Sequence, residues 1–254
     1  MLMPLLAQWS VERGAERCAV LSPAYAEHAR TARMAGLSVT EVSAFEDLRA
    51  FDHAVVINPN NPDGHVTPRS ELLSLADAMH AKGGLLVVDE AFIETGCGES
   101  LADHVTSAGL VVLRSFGKFY GMAGVRLGFA VTHPDIASDL EARLGPWAVS
   151  GPALHIATQA LADDAWRNAM RARLREDSER LNDLLCGAGL VVVGGTSLFK
   201  LVRNERAPEL FGHLARHGIL TRVFDERPAD IRFGLPSTEE EWQRLESALS
   251  SRWN

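Results

Sequence analysis

Five short apolar runs, each closed by polar or glycine-rich residues, recur through the first half of the chain: Cys18 to Leu21, Ala54 to Ile57, Leu85 to Val88, Leu110 to Leu113 and Leu127 to Val131. Their length and bounding turns predict strands. Helical spacing fills several intervals, most clearly where Thr67 is placed as N-cap, Pro68 as first helical residue and Gly83-Gly84 as stop. Strands alternating with helices predict an α/β fold built on a mainly parallel, doubly wound sheet. A long charged pattern from about Asp163 to Leu185 then predicts one helix, followed by strands near Leu190 to Val193 and Leu198 to Val202. A helix over Pro208 to His217, strands near Ile219 to Val223 and Ile231 to Phe233, and a last helix from Thr238 complete the pattern. The change of rhythm divides the chain into a large domain over 1–160 and a smaller C-terminal α+β domain over 161–254 that includes the linking helix.

Composition narrows the partners. An apolar share of 46% in 254 residues is enough for a full core, and 33 acidic against 25 basic residues leave a formal charge of -8. Phosphate backbones and anionic lipid surfaces are repelled by that balance, so neither nucleic acid nor membrane is expected. Cys18, Cys97 and Cys186 show no paired spacing, which excludes a zinc knuckle or disulfide framework and suits a reducing cytoplasm. The apolar start at Met1 to Leu6 gives way to Gln8, Glu12 and Arg13 and is expected to open a globular helix rather than a leader.

Candidate chemistry gathers just past the strands, where open parallel sheets bind ligands. Lys118, in Ser115-Phe116-Gly117-Lys118-Phe119-Tyr120-Gly121, sits among small and aromatic residues; desolvation there would lower its pKa and supply a neutral amine for a Schiff base. A solvated loop lysine is the alternative, but Ser115 before it and Arg126 after it suit a bound phosphate. Asp89 ends an apolar strand and needs a cationic partner; a protonated pyridine nitrogen is one. A nucleotidase magnesium acid is the rival, yet the required phosphate loop is lacking, because Phe119 stands where Ser or Thr is needed and Val112 where the first glycine should be. The turn Asn58-Pro59-Asn60-Asn61-Pro62-Asp63-Gly64 could aim an asparagine amide at a ring oxygen, and the Asn61–Pro62 bond is expected to be cis. Tyr25 could stack on a flat heterocycle or pack on the surface. Arg232, in an apolar strand, could grip a substrate carboxylate or form a structural salt bridge. His213 and His217 share a helix face but lack the glutamate of a zinc-protease motif and read as packing or surface residues.

Taken together, the Asn-Pro-Asp-Gly turn, the Asp-Glu-Ala strand end, the Ser-x-x-Lys segment with Arg eight residues after the lysine, and the late arginine resemble the fold-type I pyridoxal-phosphate enzymes of the class I/II aminotransferase superfamily. The resemblance implies a homodimer using pyridoxal 5'-phosphate, with Lys118 bonding its aldehyde, Asp89 at the pyridine nitrogen, Asn61 at the ring oxygen and Tyr25 stacked on the ring. It also implies Ser115 and Arg126 at the cofactor phosphate and Arg232 at the substrate carboxylate. Asn58 to Gly64, Asp89 to Phe92, Arg114 to Gly128 and Pro146 to Ser150 look most like the threonine-phosphate decarboxylases of cobalamin biosynthesis, which act on an amino-acid phosphate, with histidinol-phosphate aminotransferases as near neighbours.

Two departures stand out. Phe92 lies where many relatives carry a tyrosine, and the resemblance implies an N-terminal arm and a small-residue phosphate loop ahead of the first helix that this sequence does not display. An inactive fragment is therefore a further expectation beside decarboxylase and aminotransferase.

Overall fold

The computed structural model describes residues 1–106 and 109–251. Two compact units emerge, one of Met1–Asn61 with His65–Asp164, the other of Pro62–Gly64 with Ala165–Asn254.

In chain order the larger unit contains α1 (Leu2–Val11), β1 (Arg17–Leu21), α2 (Glu27–Met34), β2 (Ser38–Val42), β3 (His53–Ile57), α3 (Arg69–Ala81), β4 (Leu85–Asp89), β5 (Leu110–Ser115), β6 (Gly128–Thr132), α4 (Pro134–Leu144) and α5 (Gly151–Ala162). Its six strands are ordered β2-β1-β3-β4-β5-β6, parallel except for β6, which runs antiparallel to β5. Alternation of side chains at period two gives the sheet two apolar faces. Cys18, Val20, Val55 and Val87 face α1, α2 and α4, whereas Ala19, Ala54, Val56 and Val88 face α3. Both faces of β1, β3, β4 and β5 are covered, so these strands are almost wholly apolar, and each fully buried leucine such as Leu72 or Leu75 contributes roughly 2 kcal/mol. The α/β sheet expected from the apolar runs is present.

Helix α3 starts later than its sequence cue. Pro68 is the N-cap and Thr67 lies outside, because the backbone of Thr67 is already engaged: its N–H donates to Asn58 Oδ1 at 2.9 Å and its carbonyl accepts from Asn58 Nδ2 at 3.3 Å.

The second unit holds α6 (Asp164–Gly187, whose first residue groups with the larger unit), β7 (Val191–Thr196), β8 (Phe199–Arg203), α7 (Ala207–Arg216), β9 (Arg222–Val223), β10 (Asp230–Gly234) and α8 (Glu239–Ser250). A four-stranded sheet, β7-β8-β10-β9, backs onto Leu181, Leu185, Leu210, Leu214 and Trp242 from the three helices. Thr238 and Glu241 cap α8 reciprocally. His213 is buried with Nε2 2.9 Å from the Ala248 carbonyl, a packing role. Among the described residues no helix is long and apolar enough to cross a membrane.

Candidate active site

Strand order reverses direction between β1 and β3: the chain leaves β1 toward β2 on one side and returns to β3 on the other. Crevices form at such switch points, beyond the carboxyl ends of the strands. Tyr25 follows β1, Asn61 follows β3, Asp89 ends β4 and Ser115 ends β5, so four candidates from the sequence share that edge of the sheet.

The turn after β3 is held by hydrogen bonds. Asn58 clamps Thr67 as described, Asn60 N–H donates to the His65 carbonyl at 2.8 Å, and Asn60 Nδ2 donates to the Pro23 carbonyl at 2.8 Å. This last bond ties the turn bearing half-buried Asn61 to the one bearing Tyr25. Among the described residues the cis bonds are Ser22–Pro23 and Asn58–Pro59; Asn61–Pro62 is not among them, contrary to the sequence expectation.

Asp89 meets a partner that the sequence did not announce. His28 on α2, fully packed, places Nε2 2.7 Å from Asp89 Oδ2, while Oδ1 accepts the Ala91 N–H at 3.0 Å. Among the described residues neither lysine nor arginine pairs with Asp89. One acceptor carboxylate, held from behind by an imidazole, is thereby oriented at the strand end with charge available for a cation in front. Tyr25, about half exposed, meets the His28 ring edge-on with centroids 6.3 Å apart.

Lys118 lies in the turn after β5, where Phe116, Phe119 and Tyr120 are buried and Phe116 stacks on Tyr120 at 4.6 Å. Those rings take the burial; the lysine itself is exposed, so the desolvation expected for it is not supplied by the protein alone. Its Nζ stands 5.8 Å from the centroid of Phe92, which links it to the segment following Asp89. Gly117 suits this close approach, since a Cβ there would stand 3.0 Å from Ala123 Cα. Ser115 Oγ accepts the Gly117 N–H at 3.3 Å. Arg126 is exposed, with left-handed φ 58° and ψ 40°, and Nη1 donates to the Ala123 carbonyl at 3.2 Å. Such a conformation costs a non-glycine residue roughly 1 kcal/mol, and strain of this kind gathers at ligand sites.

Behind the turn, Glu90 is buried and accepts from Ser100 Oγ at 2.6 Å and Leu101 N–H at 2.7 Å, with Arg114 at 3.5 Å. Burial raises its pKa despite those bonds. Arg114 also pairs with Glu94, so β5 and the segment after β4 are locked together.

Arg232 belongs to the second unit. On β10 it pairs in register with Arg222 of β9, and cross-strand partners point to the same face. Its guanidinium lies 4.8 Å from the Phe199 ring centroid, and its pKa is lowered by desolvation and then by the charge of Arg222. Two arginines in register on one face, one of them partly desolvated, suit an anionic ligand. His28 and Arg222 are the residues the sequence reading passes over. His28 carries no sequence signal, whereas Arg222 had one: a cation in a strand facing another strand with a cation.

Comparison with known proteins follows the same direction. The family aminotransferase class I and II matches residues 6–249. Threonine-phosphate decarboxylase from Pseudomonas aeruginosa is 45% identical over 236 residues, which span 92% of this chain and 71% of that protein. Among solved structures, histidinol-phosphate aminotransferase from Clostridium acetobutylicum superposes with a TM-score of 0.85 at 23% identity, covering 97% of this chain and 80% of that one. Histidinol-phosphate aminotransferase from Sinorhizobium meliloti, in complex with pyridoxal-5'-phosphate, gives 0.83 at 22%, covering 96% and 73%. At such identities the superpositions speak for the fold.

Proposed function

Because the chain belongs to the class I and II aminotransferase family, we propose that this pyridoxal-phosphate enzyme decarboxylates L-threonine O-3-phosphate, releasing carbon dioxide and (R)-1-amino-2-propanol O-2-phosphate. The observation that carries the site is the Asp89 carboxylate, oriented by His28 and the Ala91 N–H at the same sheet edge as an exposed lysine. The donor set fits the cofactor: a carboxylate for a protonated ring nitrogen, a primary amine for an aldehyde, and a hydroxyl with a guanidinium for a phosphate. The choice of decarboxylation over amino transfer is supported by the 45% identity to the Pseudomonas decarboxylase.

When bound, pyridoxal phosphate supplies an electron sink for the bond broken at the substrate's α-carbon. Asp89 holds the proton at the ring nitrogen, and His28 holds Asp89. Lys118 provides the amine for the aldehyde. Tyr25 would cover one face of the ring, Asn61 would donate to its oxygen, and Ser115 with Arg126 would bind its phosphate. Arg232, with Arg222 beside it, grips the anionic groups of the substrate. The α-carbon–carboxylate bond breaks, carbon dioxide departs, and Lys118 returns a proton to the α-carbon. The enzyme acts as a homodimer in the cytoplasm.

Borohydride treatment of the protein with pyridoxal phosphate should fix the cofactor on Lys118, read by peptide mass spectrometry. Threonine phosphate alone, given to unreduced enzyme with pyridoxal phosphate, should yield carbon dioxide. Label on another lysine would overturn the site; glutamate from histidinol phosphate plus 2-oxoglutarate, without carbon dioxide from threonine phosphate, would make the enzyme an aminotransferase.

A further inference from the structure

One residue past Asp89, a buried carboxyl group stands outside the chemistry described above. Glu90 N–H donates to the Leu113 carbonyl at 2.8 Å, and the register of β4 with β5 ends at the Asp89–Leu113 pair. β5 continues through Arg114 and Ser115 beyond that pair. There side chains take over from the ladder. Ser100 Oγ donates to Glu90 Oε2 at 2.6 Å and the Leu101 N–H to Oε1 at 2.7 Å. Arg114 Nη1 lies 3.5 Å from Oε2 while donating to Ser100 Oγ at 3.3 Å. Each of these neighbours brings hydrogen to the carboxyl group. Arg114 completes the cluster by pairing with Glu94. The other cation acting on Glu90 is Arg69 of α3, itself held by Asp103 at 2.6 Å beside His104, with Glu99 also acting on it.

We propose that Glu90 is a positioning residue whose ionised carboxylate fixes Arg114, and with it the turn carrying Ser115 and Lys118, relative to Asp89. An ionised carboxylate accepts at both oxygens, so it satisfies Ser100, Leu101 and Arg114 together. A protonated acid or an amide turns a donor toward one of these donors, and burial leaves no water to relieve the mismatch. Two opposed effects therefore meet on one side chain. Burial favours the neutral acid and raises its pKa, while the Ser100 hydroxyl, the Leu101 N–H and then the Arg114 charge favour the ion. As pH falls the neutral form gains, one oxygen turns donor, and Arg114 loses its second carboxylate on the β4 side. Ser115 is the next residue, and its hydroxyl accepts the Gly117 N–H at 3.3 Å, so the lysine turn loosens with Arg114. That Ser115 and Lys118 meet a cofactor rests on the function proposed above; the clamp itself does not.

Pyridoxal phosphate binding, and hydrogen exchange of the cofactor-free full chain, test the clamp in wild type and Glu90→Gln. At about pH 8 the variant should bind the cofactor about three- to tenfold more weakly, the worth of one hydrogen bond, and peptides over 115–120 should exchange faster by a similar factor. Peptides over β3 should not change. As pH is lowered, both ratios of variant to wild type should shrink toward one, because protonated Glu90 offers the same donor and acceptor as glutamine. A ratio of one at about pH 8, a ratio that does not change with pH, or equal acceleration in β3 overturns the proposal. If Glu90→Gln does not fold, wild type decides: its 115–120 peptides, corrected for intrinsic exchange, should loosen as pH falls while β3 does not, and unchanged protection refutes the clamp. Exchange needs no cofactor, so a chain that shows this pH dependence but does not bind pyridoxal phosphate would refute only the cofactor reading.

Discussion

Acid should unfold the larger unit in a way that depends on one side chain. His53 is neutral in the folded state down to about pH 4, pressed there by desolvation and then by His28, whereas in the unfolded chain an imidazole takes up its proton near pH 6.5. Between those values the unfolded state binds more protons, so stability falls as pH falls; above pH 6.5 both states are neutral and the term vanishes. The full difference is worth roughly 3 kcal/mol, and the part between pH 7.5 and 5 roughly 2 kcal/mol. Urea unfolding of wild type and His53→Leu at both pH values measures it, with hydrogen exchange of β3 and β4 peptides reporting the larger unit alone. The wild type should lose about 2 kcal/mol more than the variant over this interval. Parallel loss in the two proteins would refute the assignment of a buried, neutral His53.

Two further substitutions probe packing on either unit. Gly64→Ala would set a Cβ 2.0 Å from the Gly195 carbonyl oxygen at a φ of +74°; neither backbone group can swing aside, so the second unit should lose roughly 3 kcal/mol or more, read as faster hydrogen exchange in β7 and β8. Arg114→Met would strip the buried Glu90 of its cation and should destabilise the larger unit by roughly 3 kcal/mol at pH 7, with a smaller loss in the double variant that also carries Glu90→Gln.

Legibility in the sequence tracked burial. β1, β3, β4 and β5 are buried through most of their length and appear as unbroken apolar runs, within a residue or two of their observed ends. β2 went unread, because at the sheet's edge only Val42 is buried and Ser38, Thr40 and Glu41 are exposed. The residues at the strand ends were visible as candidates since Lys118, Asp89 and Asn61 sit in short segments with an unusual local composition. His28 was not, since its importance lies in reaching Asp89, 61 positions away, and nothing near it in the chain hints at that contact. Thr67 misled for a related reason: its hydroxyl has the chemistry of a cap, but Asn58 had claimed its backbone.

The reversal at β6 has a consequence for how much of the molecule must be kept in order for the lysine turn to work. Ser115 pairs with Gly128 at the base of the antiparallel β5–β6 ladder, so the stretch between them is a tethered loop rather than a crossover. A crossover would carry Lys118 and Arg126 on separate elements, and their spacing would inherit every breathing motion of the sheet. Tethered at both ends, the two share a single short circuit whose closure entropy is met once, by the ladder, when the sheet forms. Substitutions that bend or twist the distant strands therefore displace amine and guanidinium as one body, and a ligand that reaches both reads a distance set within the loop itself.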